Sequence, residues 1–502
     1  MTEHEYAELC AACDRLLRGP GTGLARLAIP MLHLINEHPG SLRQYAPLPQ
    51  GAPLENLARM ATGNARALAR VGRALIRAPL RSPVAVEPGP PPARATVLIV
   101  SHLSSPLQLQ SADDFYFGSL QQRLRERGVN SVLVLVDHLR SSSERGQCLE
   151  MLQSQQRQLL PRFVPPGQEA RIWQRCRRAA RRLGQAARDA RTAPDRALAT
   201  LAGRQALLGM TTANLRLHAS IQDVCRRLRP DIVITTYEGD ACERMIWQAA
   251  REVQPPPLCV GYQHTRIMQR AHAIRRVIGN GAGGDPDVIL TLGEVPQAAL
   301  AESPGLRSVR LITYGSHRRA TTGEYPPWAA RPRRCMVLPD ADESECVILM
   351  GFAVDCARRC PDVSFILRPH PVTDFAALCA RHANLRSLPF NVSVSSGASL
   401  GEDCMSSQFC LYRGSSAAMH AVLWGLKPFY VARHDELCFD PLFALNGWRE
   451  VISSPQQFQD HMDTVQTASD QDAALRAWEY CNDYVAPVRP AAIDELLQLA
   501  VR

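Results

Sequence analysis

Two short segments place basic, hydroxylic, proline and glycine residues where apolar runs stop. Arg368-Pro369-His370-Pro371 closes the run Val363-Ser364-Phe365-Ile366-Leu367, and Tyr412-Arg413-Gly414-Ser415-Ser416 closes the run that begins at Phe409. Guanidinium, imidazole and hydroxyl groups are donors to anions, and in an open α/β sheet ligands collect beyond the carboxyl ends of the strands. A helix starting behind Ser415 and Ser416 would add free backbone N–H groups. Arg368, His370, Pro371, Gly414, Ser415 and Ser416 therefore read as a grip for the phosphate of a nucleotide, with the flanking prolines fixing the His370 backbone. Arg413 is either a further ligand or a surface residue.

A second constellation is acidic. Tyr237-Glu238-Gly239-Asp240-Ala241-Cys242-Glu243-Arg244 follows the run Asp231-Ile232-Val233-Ile234-Thr235-Thr236. A carboxylate whose proton affinity is raised by burial or by a like charge can act as a general base on a hydroxyl, and Glu238 beside Asp240 is such a setting. Asp240 and Glu243 also have the spacing of a helix capping box, and both readings stay open. His264, in Gly261-Tyr262-Gln263-His264-Thr265, follows the next apolar run and falls in the same crevice, where an imidazole donates to phosphate or orients a hydroxyl. Ser101-His102-Leu103 closes the first apolar run, which puts His102, with His264 and Glu243, on the acceptor side. The glycine-rich stretch Gly279 to Gly284 precedes a strand instead of following one, so it is no dinucleotide fingerprint.

These tips need elements to hold them. Apolar runs at 96–102, 131–137, 231–236, 258–262, 287–292 and 309–313 read as buried strands, with helical spacing at 113–127 and 241–253 between them. A second series has strands at 335–339, 363–367, 409–412 and 428–431, with helices at 343–358, 375–382 and 415–424. The expected fold is α/β, two facing Rossmann-like domains with an N-terminal helical segment and a helical insertion. The boundaries read as a helical region 1–82, a proline-rich linker 83–94, an acceptor domain 95–315 with the insertion at about 140–228, and a donor domain with a helical tail at 335–502. The stretch from Gly315 to Arg334, polar and without apolar period, is the expected domain boundary.

Composition narrows the class. The chain has 502 residues, 46% hydrophobic and 21% charged, which suits an ordinary globular protein of two domains. It carries no apolar run of membrane-spanning length and no apolar leader behind Met1-Thr2-Glu3-His4-Glu5, so a cytoplasmic location is expected. Sixteen cysteines are scattered without a disulfide framework, and neither Cys10-Ala-Ala-Cys13 nor Cys356-Ala-Arg-Arg-Cys360 has a matching second pair for zinc. No metal and no cofactor is expected. Net charge is +9, with Lys427 the lone lysine among 57 basic residues. The densest cluster, Arg171 to Arg191, is either a solvated helix face or a peripheral contact with an anionic inner membrane or polyanionic acceptor. Only Trp173 is interleaved with it, which argues against nucleic acid.

The His-Pro tip followed by a Ser-Ser helix start resembles the paired motifs of GT-B type bacterial surface-polysaccharide glycosyltransferases, among them sialyltransferases, polysialyltransferases and capsular Kdo transferases. The Tyr-Glu-Gly-Asp and Gly-Tyr-Gln-His stretches are similar to those of O-antigen biosynthesis proteins. The resemblance covers roughly residues 95 to 450. It implies a metal-independent glycosyltransferase that takes a nucleotide-sugar donor, in particular a CMP-sugar, to a lipid-linked or polysaccharide acceptor. It places the phosphate on His370, Ser415 and Ser416, and the base on Glu238. Where those sialyltransferases carry an acidic pair before glycine, Tyr237 stands in place of the first acid. A CDP-alcohol polyol-phosphate transferase, a nucleotide-sugar epimerase and a non-enzymatic envelope scaffold are the alternatives.

Overall fold

The computed structural model describes residues 1–19, 23–45, 96–139, 141–153, 157–279, 283–319, 328–371, 373–396, 399–464 and 468–500. The expected linker at 83–94 and all of the expected helical region beyond residue 45 lie outside the described residues. Two parallel sheets organise the rest. The first holds β1 (Val97–Leu103), β2 (Ser131–Asp137), β3 (Arg157–Leu159), β4 (Ile232–Thr236), β5 (Leu258–Tyr262), β6 (Val288–Thr291) and β7 (Arg310–Thr313), in the order β3-β2-β1-β4-β5-β6-β7. The second holds β8 (Arg334–Leu338), β9 (Ser364–Leu367), β10 (Val392–Val394), β11 (Phe409–Tyr412), β12 (Lys427–Val431) and β13 (Glu450–Ile452), in the order β10-β9-β8-β11-β12-β13. Each sheet thus starts in the middle, runs outward, and returns to build the other half. That is the doubly wound order of a Rossmann-like domain, and the expected α/β fold of two such domains is present.

The central strands form because they are continuous apolar runs: β4 and β11 are buried along their whole length, as a parallel strand covered by helices on both faces must be. Three strands escaped the pattern reading, β3, β10 and β13. Each has three residues and lies at a sheet edge, too short for a periodic signal and not covered enough to need an apolar run. The helix expected over 113–127 is shorter, Leu120–Glu126. Asp114 takes the chain out of helix upstream: its Oδ1 accepts from the N–H of Tyr116 and Phe117 at 2.9 Å, and Gly118 sits at φ +55°.

The insertion is mostly helical, as expected. Four helices, Ser142–Gln153, Pro166–Asp189, Ala193–Gln205 and Gly209–Leu228, flank β3 in the chain, one before it and three after. Pro166–Asp189 buries Ile172, Cys176, Ala179, Leu183 and Ala187 on one face and turns Arg171, Arg175, Arg178, Arg181 and Arg188 outward. The N-terminal helices pack here too: Tyr6, Leu9, Cys13, Leu17, Met31 and Leu32 share a core with Ile172, Leu183 and Leu198.

The tail behaves differently from its sequence position. The sequence reading puts residues 335–502 in one unit, yet the last helix, Pro490–Ala500, buries Ala492, Ile493 and Leu496 in the core of the first sheet. The chain crosses back through a tight passage, where a Cβ on Gly315 would meet the Pro487 carbonyl oxygen at 2.3 Å. All sixteen cysteines are free, and most are buried. Among the described residues no helix is long and apolar enough to cross a membrane.

Candidate functional site

In both sheets the strand order reverses between the two central strands, β1 and β4 in the first, β8 and β11 in the second. Beyond the carboxyl ends of β4, β8 and β11 lie Glu238, Asp340 and the 413–416 turn, while His102 is the last residue but one of β1. The two switch points face each other, and side chains from the loops behind them meet across a cleft. Arg266, from the loop after β5, donates from Nη2 to Oδ2 of Asp340, after β8, at 2.8 Å. Doubly wound folds bind ligands at this position.

Glu238 sits on the first turn after β4. Gly239 makes that turn possible: its φ is +94°, and a Cβ there would lie 2.5 Å from the carbonyl carbon of Ala273. The capping-box spacing is realised in Glu243. Its Oε1 accepts from the Glu238 N–H at 2.9 Å, and its Oε2 from the N–H groups of Gly239 and Asp240 at 2.8 Å each. Both oxygens of the buried Glu243 are thus spent on backbone, which corrects its expected place on the acceptor side. Tyr237 turns inward onto Trp247, with ring centroids 5.3 Å apart.

With Glu243 holding the loop, Glu238 is left facing the cleft with 32% of its side chain open, 3.4 Å from Nε2 of His264. Burial within the cleft, the charge of Asp240 and that of Asp340 push its carboxyl up to about 7, against the pull of Arg266. Asp240 is raised to about 6, again by burial, with Arg244 pulling the other way. His264 is driven down to about 3 by burial and by Arg318, so its ring is neutral, and Tyr116 packs edge-on against it at 5.1 Å. A carboxylate that titrates near neutrality next to a neutral imidazole has the properties of a general base with a hydroxyl-orienting neighbour.

His102 is used otherwise than expected. Its Nδ1 lies 2.9 Å from Nε2 of His138 and its Nε2 3.1 Å from Oγ1 of Thr236. Burial and the neighbouring His138 hold it down to about 3. Both ring nitrogens serve the sheet edge, so His102 supports β4 instead of holding an acceptor.

On the opposite wall, His370 stands at the end of β9. The Thr373 N–H donates to the His370 carbonyl at 2.8 Å, closing a tight turn with Pro371 in its second position. Burial lowers the His370 pKa, partly offset by Asp340, so the ring is a neutral donor. Arg368 is engaged sideways instead: it pairs with Asp403 and donates to Ser395 Oγ at 3.2 Å, which compensates its charge inside the second sheet. The direct phosphate contact expected of it is replaced by a structural ion pair.

The 413–416 turn divides its residues between core and cleft. Arg413 is fully buried, pairing with Glu345 at 2.7 Å and with Glu436 while donating to the Val431 carbonyl at 2.7 Å. It is neither ligand nor surface residue. Gly414 is required by close approach, since a Cβ would lie 2.9 Å from the Phe439 ring and 3.2 Å from Asp340 Oδ2. Ser415 and Ser416 follow, and the helix behind them, Ala417–Leu423, has seven residues instead of the ten expected from 415 to 424. Two turns add little dipole, so the side chains matter more.

Besides Arg266 and Asp340, sequence reading missed Arg318. It lies in the stretch taken as a domain boundary, and no periodicity marks it. It donates from Nε and Nη2 to the Phe115 carbonyl at 3.1 and 2.7 Å and stacks over the Phe115 ring at 4.1 Å. Its charge lowers the pKa values of His264, His370 and His420. Among the described residues no group of three or more acidic, histidine or cysteine side chains is placed to hold a metal ion.

Two Rossmann-like domains meeting along their switch points have the GT-B build. No protein-family model matches the chain, and no curated protein sequence matches it. Solved structures do. The glycosyltransferase SnogD from Streptomyces nogalater is 17% identical, with 81% of this chain and 99% of that one covered and a TM-score of 0.44. The spinosyn rhamnosyltransferase SpnG is 14% identical, with 80% and 100% covered and a TM-score of 0.44. The UDP-GlcNAc 2-epimerase from Neisseria meningitidis, solved with UDP-GlcNAc bound, is 11% identical, with 81% and 98% covered and a TM-score of 0.42. At these values the likenesses bear on neither donor nor acceptor, and the fold rests on the strand order of the two sheets.

Proposed function

We infer that the protein is a glycosyltransferase that moves a sugar from a nucleotide-sugar, in particular a CMP-sugar, to a hydroxyl of a lipid-linked or polysaccharide acceptor in bacterial surface carbohydrate synthesis. The observation that supports this reading is the Glu238 carboxyl, pushed up to about 7 at one switch point, on the wall whose Arg266 bonds Asp340 beside Gly414 of the other. Glu238 takes the proton of the acceptor hydroxyl as its oxygen bonds to the anomeric carbon. The bond from that carbon to the phosphate oxygen breaks, and the nucleotide leaves with the electron pair. His370, Ser415, Ser416 and Arg318 receive the phosphate charge, and His264 orients the acceptor. No step calls for a metal ion.

Incubation with CMP-, UDP- and CDP-linked donors and a lipid-linked acceptor, following nucleotide release, tests the reading. Acceptor-dependent release of CMP is the expected result. Turnover of a donor without nucleotide release would point to an epimerase, and no turnover of any donor would remove the enzyme reading.

A further inference from the structure

The positive charge of the protein is concentrated in the helical insertion. Residues 140–228 hold 17 arginines, no lysine and six acidic residues, an excess of eleven, whereas the whole chain carries +9. The remainder is therefore slightly acidic. The carboxylates of the helix Pro166–Asp189 and of the two helices after it are all engaged. Glu169 pairs with Arg216 at 2.7 Å, Asp195 with Arg15 of the first helix at 2.6 Å and Asp223 with Arg226 at 3.4 Å, while Asp189 accepts from Gln185 Nε2 at 2.9 Å. On the outward face of Pro166–Asp189, Arg171, Arg175, Arg178 and Arg181 are exposed, and among the described residues none of these four side chains has an ion pair or a hydrogen bond.

Spacings of three and four residues set these arginines in one line, opposite the buried Ile172, Cys176, Ala179 and Leu183. Like charges so spaced repel, and the fold supplies nothing to offset the repulsion. From Arg171 to Arg181 the line is straight and about 15 Å long, a shape that fits a flat anionic surface. A second copy of the chain would bring the same charge against it, which excludes two-fold pairing through this face. Apolar side chains border the line. Trp173 is half-buried on its flank, with the Arg177 guanidinium over the ring at 4.6 Å. The exposed Phe163 lies at the N-terminal end of the helix, where Arg216, the partner of Glu169, stacks over it at 5.4 Å. Leu208 and Met210 are exposed where the next two helices join. A soluble polyanion gives such side chains nothing to bind, whereas the boundary between headgroups and acyl chains of an anionic bilayer takes both kinds. We propose that this face docks the protein on anionic phospholipid, with the guanidinium groups on lipid phosphates and Trp173 and Phe163 at the acyl boundary. The inference goes beyond the proposed function and does not depend on it, because no residue of the two switch points takes part.

Sedimentation of the full chain with vesicles of phosphatidylcholine, alone or mixed with phosphatidylglycerol, tests it. Binding to the anionic vesicles only, weakening as salt is raised, is the expected result. Arg171→Gln, Arg175→Gln, Arg178→Gln and Arg181→Gln together keep helix propensity and should lower the partition coefficient at least about 100-fold, at about fivefold per arginine near an anionic surface. A matched variant, with Arg125→Gln, Arg307→Gln, Arg358→Gln and Arg476→Gln, loses the same charge from exposed positions elsewhere and should stay within about threefold of the unaltered protein. Equal losses in the two variants would reduce the effect to net charge and overturn the proposal. Phenylglyoxal labelling of the unaltered protein, read by mass spectrometry, needs no variant: anionic vesicles should shield Arg171, Arg175, Arg178 and Arg181 and leave the four matched arginines reactive. Shielding of the matched set instead, equal binding to neutral vesicles, or a preference for RNA or dextran sulfate over vesicles at equal anionic charge would each overturn it. None of these measurements involves turnover, so the docking face and the glycosyl-transfer reading fail separately.

Discussion

His264 Nε2 lies 3.4 Å from Glu238 Oε1, and the two groups titrate far apart, the histidine at about 3 and the carboxyl at about 7. The pair is thus a neutral imidazole beside a carboxyl that changes charge near neutrality, and under the proposed function the proton that matters belongs to Glu238. Since the base must be ionised, kcat/KM is expected to rise with pH through a midpoint near 7. Glu238→Gln should lower turnover by about 100-fold or more, with nucleotide affinity nearly unchanged, as measured by steady-state rates and calorimetric titration. A fully active variant would take Glu238 out of the mechanism.

The same carboxyl has a consequence for stability. Its folded-state proton affinity is above the ordinary value of 4.5, so the folded protein binds the proton first and loses stability as pH rises from 4.5 through about 7. Glu238→Gln should therefore be more stable than the unaltered protein at pH 8, by about 1–2 kcal/mol once its partial exposure is allowed for, and equal to it at pH 4. Denaturant midpoints at the two pH values measure the difference.

His370 is held by a proline turn with its pKa lowered by burial, so under the proposed function it would meet the phosphate as a neutral hydrogen-bond donor. His370→Ala should weaken CMP binding roughly 10- to 100-fold, the worth of a hydrogen bond to a charged group at about 1.5–3 kcal/mol. Unaltered CMP affinity in fluorescence or calorimetric titration would separate His370 from the phosphate.

Arg413 stands next to the phosphate tip in sequence and serves the core in space. Arg413→Ala leaves the buried Glu345 without its partner and Glu436 with Arg433 alone, and should cost about 3–5 kcal/mol. The loss should show in thermal or urea unfolding, whether or not nucleotide is present. A variant of normal stability with reduced nucleotide affinity would restore Arg413 to the ligand site.

The last helix ties the chain's end to the first sheet. Ile493→Ala should destabilise by about 2–4 kcal/mol, with amide exchange rising first in the strands of that sheet and not in β8 to β13. Faster exchange confined to the second sheet would contradict the packing.

The ten longer strands could be read from sequence because a parallel strand buried on both faces must be a continuous apolar run, and the runs from Val97 to Tyr430 have that form. The edge strands β3, β10 and β13 could not, being three residues long and lightly covered. The same division runs through the site. Glu238, His264 and His370 were visible because each follows an apolar run, and the carboxyl end of such a run in a doubly wound sheet opens on the ligand crevice.

Sequence by itself determined the two series of strands, the glycine turn at Gly239 and the His-Pro tip, because these depend on local sterics and on the period of apolar residues. Tertiary structure alone decided what each polar side chain faces. It turned Arg413 and Glu243 inward to partners that the core supplies, engaged Arg368 with Asp403, tied His102 to His138, and brought Arg318 from an unmarked loop onto the Phe115 ring. A charged group's role is set by which opposite charge lies within a few ångströms, and those neighbours come from strands and loops far apart in the chain. The meeting of Arg266 with Asp340 is of this kind: 74 residues separate them, and only the folding of two domains onto each other makes them a pair.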